Sequence, residues 1–284
     1  MVNPLNKYFR KPAISISLPT QGEFYAPGAL TFDNDKELNV FPMTARDEMM
    51  MNSPDALMNS SATIDVIKSC VPGIRDPWSM PVIDLDTVLL GVRIASLGES
   101  MDISVIVPKV EETIAYTVDL RVMMDQIDRS QFNPYVVLEP TLTVKVKPMS
   151  YRQLTNLQLR TYEQQRMITQ VAQGKMSASE KNKEFNEIFN RMTNLTLDNM
   201  KEAVLEINAD GDVITENTYI SEFVDNMQAE MASKIRTHID SQNSLGKIKP
   251  ITVQVPEDMV KKGAPTTFGS PLSLDNSNFF VRKS

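Results

Sequence analysis

Four prolines fall within residues 42–77 of this chain and limit the regular structure that stretch can hold. A proline cannot extend a helix through its own nitrogen, and it pushes the residue before it out of the helical region. Pro42, Pro72 and Pro77 therefore read as stops, and Pro54 as a first helical position. Between them, Thr44 begins a helix: its hydroxyl can accept from the Asp47 N–H while the Asp47 carboxylate reaches back. That helix carries Met49, Met50 and Met51 and ends near Asn52. Ser53-Pro54-Asp55 is a second start. Ser61 is expected to cap a third helix with Ile64, Ile67 and Val71 on one face, ended by Pro72-Gly73. Asp76-Pro77-Trp78 and Met80-Pro81 then form a stiff, extended connector. The stretch also holds the only Cys of the chain, and the only Trp follows it at position 78.

The flanking sequence alternates between strands and helices. Ala13 to Leu18 alternates apolar and polar residues, and Leu38, Val40 and Phe41 form a second short strand. Asp84-Leu85-Asp86 opens an amphipathic helix closed by Gly98, in which Asp84 and Asp86 complement the helix dipole. Strands over 102–107 and 112–120 flank a turn at Pro108-Lys109-Val110-Glu111. A short helix follows around Leu120–Ile127, with Arg121 and Asp125 placed to pair, and Thr141–Val146 is another strand.

Near Ser150 the composition turns to polar helix. Ser150 caps a helix ending at Gly174, and Ser177 or Ser179 caps the next, with Phe185, Ile188, Phe189 and Met192 at helical spacing. Leu195–Ile207 continues or restarts it. Asn208-Ala209-Asp210-Gly211-Asp212 reads as a helix–helix turn, and Asn217 begins a helix running through Ile235. Alternation returns at Ile251–Val255, and the simplest topology lays that strand beside Thr141–Val146. The reading is thus an α+β fold in three parts. Residues 1–149 form a strand-rich domain with short helices and antiparallel strands. Residues 150–243 form an inserted helical hairpin or bundle, and residues 244–284 a returning strand and an extended tail.

Chemistry is hard to find in these residues. The chain has 284 residues and a net charge of -7, without the basic stripe of a nucleic-acid binder. No window approaches the run of about 20 apolar residues that spans a bilayer, and residues 1–11 hold no signal-peptide core. One Cys and one His, His238, leave little for metal ligation or a His-dependent triad, so no metal and no cofactor is expected. Cys70 lacks a neighbouring base in sequence and reads as a buried structural thiol. Residues 208–212 resemble the start of a calcium loop, but its twelfth position is Tyr219, not the bidentate Glu such a loop needs. The expectation is a protein with no catalytic residues that works through contacts. Trp78 reads either as a partner anchor or as a core plug. Phe279, Phe280 and Val281 read either as docked on their own domain or as inserted into a neighbouring chain.

Several motifs carry a resemblance. Residues 3–9, Asn-Pro-Leu-Asn-Lys-Tyr-Phe, are followed by Leu18-Pro19-Thr20-Gln21-Gly22 and Phe24-Tyr25. Pro42-Met43-Thr44-Ala45-Arg46-Asp47-Glu48, Ser53-Pro54-Asp55-Ala56-Leu57, Ile67-Lys68-Ser69-Cys70-Val71-Pro72 and Asp76-Pro77-Trp78 come next. Together they resemble the T-even-type phage baseplate hub family, small proteins of contractile tails. The likeness is densest over residues 3–127 and returns at Ser277-Asn278-Phe279-Phe280. Some members carry cysteines in the hairpin that here reads Val107-Pro108-Lys109-Val110, so a zinc clip is not implied for this chain and packing must hold the hairpin. The resemblance implies a non-enzymatic tail protein in the virion baseplate, passing through the host cytoplasm during assembly. Its expected partners are hub subunits or a tape-measure protein, with neither nucleic acid nor membrane. Two jobs fit: a hub component that stays, or an assembly chaperone that leaves before the particle is complete.

Overall fold

A computed structural model describes residues 4–51, 60–127, 129–174, 176–272 and 279–280. From the amino end, a 3-10 turn at Pro4–Tyr8 leads to β1 (Ile14–Ser17) and β2 (Glu37–Val40), which pair antiparallel with Ile16 opposite Leu38. α1 (Ala45–Met51) and α2 (Ser61–Cys70) pack on each other. The expected Ser53 start lies outside the described residues. Ser61 is the first residue of α2 rather than its cap. Ser60 precedes it in the left-handed region at φ 58°, and no side chain caps the end.

A 3-10 turn at Pro77–Ser79 leads into α3 (Val82–Leu97). This helix is not amphipathic in the usual sense. Eleven of its residues, including Val88, Leu90, Val92 and Ile94, are buried, as expected for a central helix surrounded by other elements. Gly98 ends it at φ 89°. β3 (Ser100–Ile106) and β4 (Thr113–Asp119) form a hairpin, and α4 (Leu120–Asp125) follows, capped by the Asp119 carboxylate. Arg121 pairs with Glu99, not with Asp125.

β5 (Tyr135–Glu139), β6 (Leu142–Val146), β7 (Val204–Ala209) and β8 (Asp212–Ile214) make a four-stranded antiparallel sheet in that order. Between β6 and β7 the chain makes a long helical hairpin, α5 (Tyr151–Gln173) and α6 (Ala178–Ala203). Both helices open with capping boxes, Ser150 with Gln153 and Ser177 with Glu180. α7 (Asn217–Asn226) and α8 (Ala229–Asn243) complete this part, where one continuous helix was expected. Two further expectations change here. Val204–Ala209 and Asp212–Ile214 are strands, so Asn208–Asp212 spans a β-hairpin turn. Asp210 and Gly211 take φ 54° and 98°, and the Asn208 side chain accepts from the Gly211 N–H. β6 therefore pairs with β5 and β7, and not with the strand near residue 251.

That last strand, β9 (Ile251–Gln254), instead pairs with β10 (Thr267–Ser270) across α9 (Glu257–Lys261). The fold is α+β throughout. The chain divides into two compact units, Gln131–Ser244 and Met1–Ser130 joined with Leu245–Ser284. The composition shift at Ser150 marks the start of α5, while the compact unit begins before β5 because β5 and β6 share a sheet with β7.

The larger unit has one main core. Ile16, Leu38, Val40, Ile67, Cys70, Val71, Ile74, Met80, Leu90, Val92, Leu120, Phe279 and Phe280 all lie within it. A satellite core gathers Val107, Val255, Met259 and Ala264, with Val110, Ile114 and Phe268 against them. It holds the β3–β4 hairpin at its turn, and Lys262 adds an ion pair to Glu112 at 2.7 Å. Gly246 lies directly against Ile83. A Cβ there would meet the Ile83 carbonyl oxygen at 1.9 Å, and φ is 74°, so only glycine fits. In the smaller unit the inward faces of the sheet supply Val136, Leu138, Val144, Val146 and Ile207, and the helices supply Ile188, Met200, Ile220, Val224 and Ile235.

Candidate functional site

Arg10 pins the residues before β1. Arg10 donates from Nη1 to the Pro42 carbonyl at 2.8 Å, and from Nη2 to the Ser69 carbonyl at 2.7 Å and the Ser69 hydroxyl at 3.0 Å. The Asp47 carboxylate lies 3.6 Å from Nη1. Asp47 is itself crowded with donors: the Thr44 N–H at 2.8 Å, the Thr44 hydroxyl at 2.7 Å and the Ser69 hydroxyl at 2.8 Å. Thr44 completes the reciprocal cap by accepting from the Asp47 N–H at 3.2 Å. This cluster fastens the amino-terminal arm to the bend between β2 and α1 and to the end of α2. Ahead of the clasp, Leu5, Tyr8 and Phe9 are all more than half exposed.

Asp84 stands in the first turn of α3, where a carboxylate complements the helix dipole, and it has distant partners as well. Asp84 is fully buried and accepts from the Thr20 N–H at 2.9 Å, from the Thr20 hydroxyl, and from the Tyr25 hydroxyl at 3.1 Å. Burial pushes its carboxyl up to about 6, while the Thr20 and Tyr25 hydrogen bonds pull the other way. Burial, and then the neighbouring Asp84 charge, raises the Tyr25 phenol as well. With three donors and no exposed surface, Asp84 anchors the loop of residues 18–25 to the first turn of α3.

Cys70 is fully buried at the end of α2. Burial, and secondarily the Asp47 charge, pushes its thiol up to about 12, against a smaller opposing effect of Arg10, whose Nη1 lies 3.9 Å from Sγ. A thiol so protonated is no nucleophile.

The residues expected to bind partners are separated. Trp78 is half-buried in the Pro77–Ser79 turn, its backbone N–H donating to Asp76 Oδ1 at 3.2 Å. Phe279 and Phe280 are 0 % and 2 % exposed, in edge-to-face contact at 4.8 Å between ring centres. They pack in the core of their own unit, and Arg93 Nε donates from within α3 to the Phe279 carbonyl. Val281 lies outside the described residues. His238 sits on α8 with Nε2 2.8 Å from the Asn133 carbonyl.

Exposed apolar surface that sequence reading passed over lies on the α5–α6 hairpin. Leu159 and Tyr162 on α5 and Phe189 on α6 are each at least half exposed. Helical spacing picks out Phe189, but it cannot say which side of a helix is covered. A mostly apolar groove at the base of the hairpin is lined by Pro148, Leu157, Met200 and Ile239 among others. Among the described residues, no group of three or more His, Cys, Asp or Glu converges, and no helix is long and apolar enough to cross a membrane.

The geometry thus offers anchored loops, buried polar ties and exposed apolar side chains on an arm and a hairpin. The family described as T4 bacteriophage base plate protein matches residues 29–259, a span running through both units. The chain belongs to that family. No curated protein and no solved structure matches it. It is a phage baseplate structural or assembly protein, whose place is the tail baseplate and whose partners are other tail and baseplate proteins.

Proposed function

We propose that the chain is a non-enzymatic component of the baseplate hub of a contractile tail, staying in the mature particle and acting through protein–protein contacts. The observation that carries this reading is the clasped arm: Arg10 ties it to Pro42, Ser69 and Asp47, leaving Leu5, Tyr8 and Phe9 presented to solvent on a fixed base. Aromatic and apolar side chains held out in this way suit insertion into neighbouring subunits, because little ordering entropy remains to be lost on binding. Trp78, half-buried in its turn, is the second contact residue of this reading. Hub subunits are the partners, met in the host cytoplasm during assembly.

One observation favours a second reading, an assembly chaperone for hub or tape-measure proteins that is absent from the mature virion. The α5–α6 hairpin keeps Leu159, Tyr162 and Phe189 in solvent, which suits transient capture of a client helix. Mass spectrometry of purified tails separates the two. Peptides of this chain at a stoichiometry matching other hub subunits support the hub component. Their absence from mature tails, with the protein present in infected cells, overturns it in favour of the chaperone.

A further inference from the structure

β3 and β4 form a two-stranded ribbon in unbroken register, from Ser100 opposite Asp119 to Ile106 opposite Thr113. One face lies on the core through Ile103, Tyr116 and Val118, and the other is exposed. Two backbone bonds fix which groups join the strands. The Leu120 N–H donates to the Glu99 carbonyl and the Val107 N–H to the Glu112 carbonyl, both at 2.8 Å, and both pairs continue the same register. Bonding alternates along an antiparallel pair. Ile114, Tyr116 and Val118 therefore bond to β3, whereas Thr113, Ala115 and Thr117 turn their N–H and carbonyl groups away from it. Among the described residues, no backbone bond meets those three from that side. β9 touches the ribbon through a side chain instead, the Tyr116 hydroxyl donating to the Thr252 carbonyl at 3.2 Å.

Proteins usually protect such an edge by keeping it short, by bulges, or by placing Pro and Lys on it. The other sheets here do so. β1, β2, β9 and β10 are four residues each. Bulges interrupt the sheet of the smaller unit near Val137 and Lys145, and Lys234 reaches the Leu138 carbonyl of its outer strand β5 at 3.5 Å. β4 has no Pro, no Lys and no bulge, and Thr113, Ala115 and Thr117 set only small side chains beside the edge. The ribbon is fixed at its turn by the satellite core and at its base by the Arg121–Glu99 pair, so little order remains to be lost on binding. The edge also dictates what fits it. An N–H and a carbonyl recur every second residue, about 6.8 Å apart, a pattern that another extended backbone matches. A second copy is a poor source of that backbone. Pairing β4 with β4 about a two-fold axis sets Glu111 and Glu112 of each chain toward Asp119 of the other, in chains of net charge -7. We propose that β4 takes up an extended segment of another protein as a third strand, bonded through the backbone of Thr113, Ala115 and Thr117. This edge uses no residue of the arm or of the α5–α6 hairpin, and it serves equally a subunit that stays in the particle and one that leaves.

The test titrates the full chain with synthetic peptides of about ten residues, long enough to line β4, tiled through the tail and baseplate proteins of the same phage. The expected result is a peptide with a Kd below about 1 mM that slows amide exchange at Thr113, Ala115 and Thr117. Methylating the peptide's backbone nitrogens one at a time should weaken binding about tenfold at every second residue and little at those between. Ala115→Pro removes one outward N–H and should weaken binding by a similar factor, with circular dichroism and the unfolding midpoint verifying its fold. Should that variant unfold, the methylated peptides carry the test on the wild-type chain. No binding by any tiled peptide up to about 1 mM overturns the proposal. Binding that leaves the three amides unprotected, or that is indifferent to methylation, overturns it equally. Protection of those amides in the chain alone, growing with its concentration, gives the edge to a second copy and overturns the assignment to another protein.

Discussion

Arg93 Nε donates to the carbonyl of Phe279 at 2.8 Å, joining the middle of the central helix to a residue 186 positions later in the chain. The same guanidinium reaches the Gly98 carbonyl at 3.2 Å, and burial lowers its pKa. Phe279 and Phe280 are thereby part of the core that α3 organises, and the chain segment carrying them is structural to its unit. Phe279→Ala or Phe280→Ala should cost about 3–5 kcal/mol, the usual range for an aromatic cavity. Removing residues 279–284 should cost at least as much. Urea unfolding of the full chain reads this directly, and an unshifted midpoint would show that the pair is dispensable to the core.

Asp84 gives the protein a pH signature. Its carboxyl is raised to about 6 in the folded state, above its ordinary value of 3.8. The folded state therefore holds this proton to higher pH than the unfolded chain does. The contribution is fully favourable below about pH 4 and is lost as pH rises to about 6, by about 3 kcal/mol in all. Other carboxylates titrate over the same range, so the informative quantity is the difference between wild type and Asp84→Asn. That difference should shift by about 3 kcal/mol in favour of the variant between pH 4 and pH 7. A pH-independent difference would mean that the buried carboxyl titrates normally.

Cys70 should be silent toward thiol reagents. Its thiol is pushed up to about 12 and is fully buried, so at neutral pH neither thiolate nor access is present. Modification by a disulfide reagent should proceed only as fast as the unit opens, and should accelerate sharply across the urea transition. Rapid labelling of the native protein would contradict the placement of Cys70 beneath Arg10 and Asp47.

What could be read from the sequence was local. The caps at Thr44, Ser150 and Ser177 need only a residue three positions on, and all three appear with their reciprocal partners. Pro72 and Gly98 close α2 and α3 as their backbone preferences require. What was not legible shares a physical cause, since each feature depended on partners distant in the chain. Asp84 is tied to Thr20 and Tyr25, 64 and 59 residues away. Val204–Ala209 follows a helix without a break in composition and becomes a strand because β6 offers it a ladder with Val144 opposite Ile207. The exposed residues of the arm and hairpin carry ordinary helical and turn signals, and their role as surface emerges only when the covering elements are known.

The insertion of residues 131–244 between the two segments of the larger unit also sets an order of events on the ribosome. The smaller unit is contiguous in sequence and can fold as soon as its own strands and helices emerge. The larger one must wait, with α3 made early but Phe279 and Phe280 still to be translated. Domains form as units during synthesis, at about 5–20 residues per second. Nascent chains of this protein therefore carry an unfinished core for several seconds while the inserted unit is being made, and that interval is when their apolar surface most needs shielding.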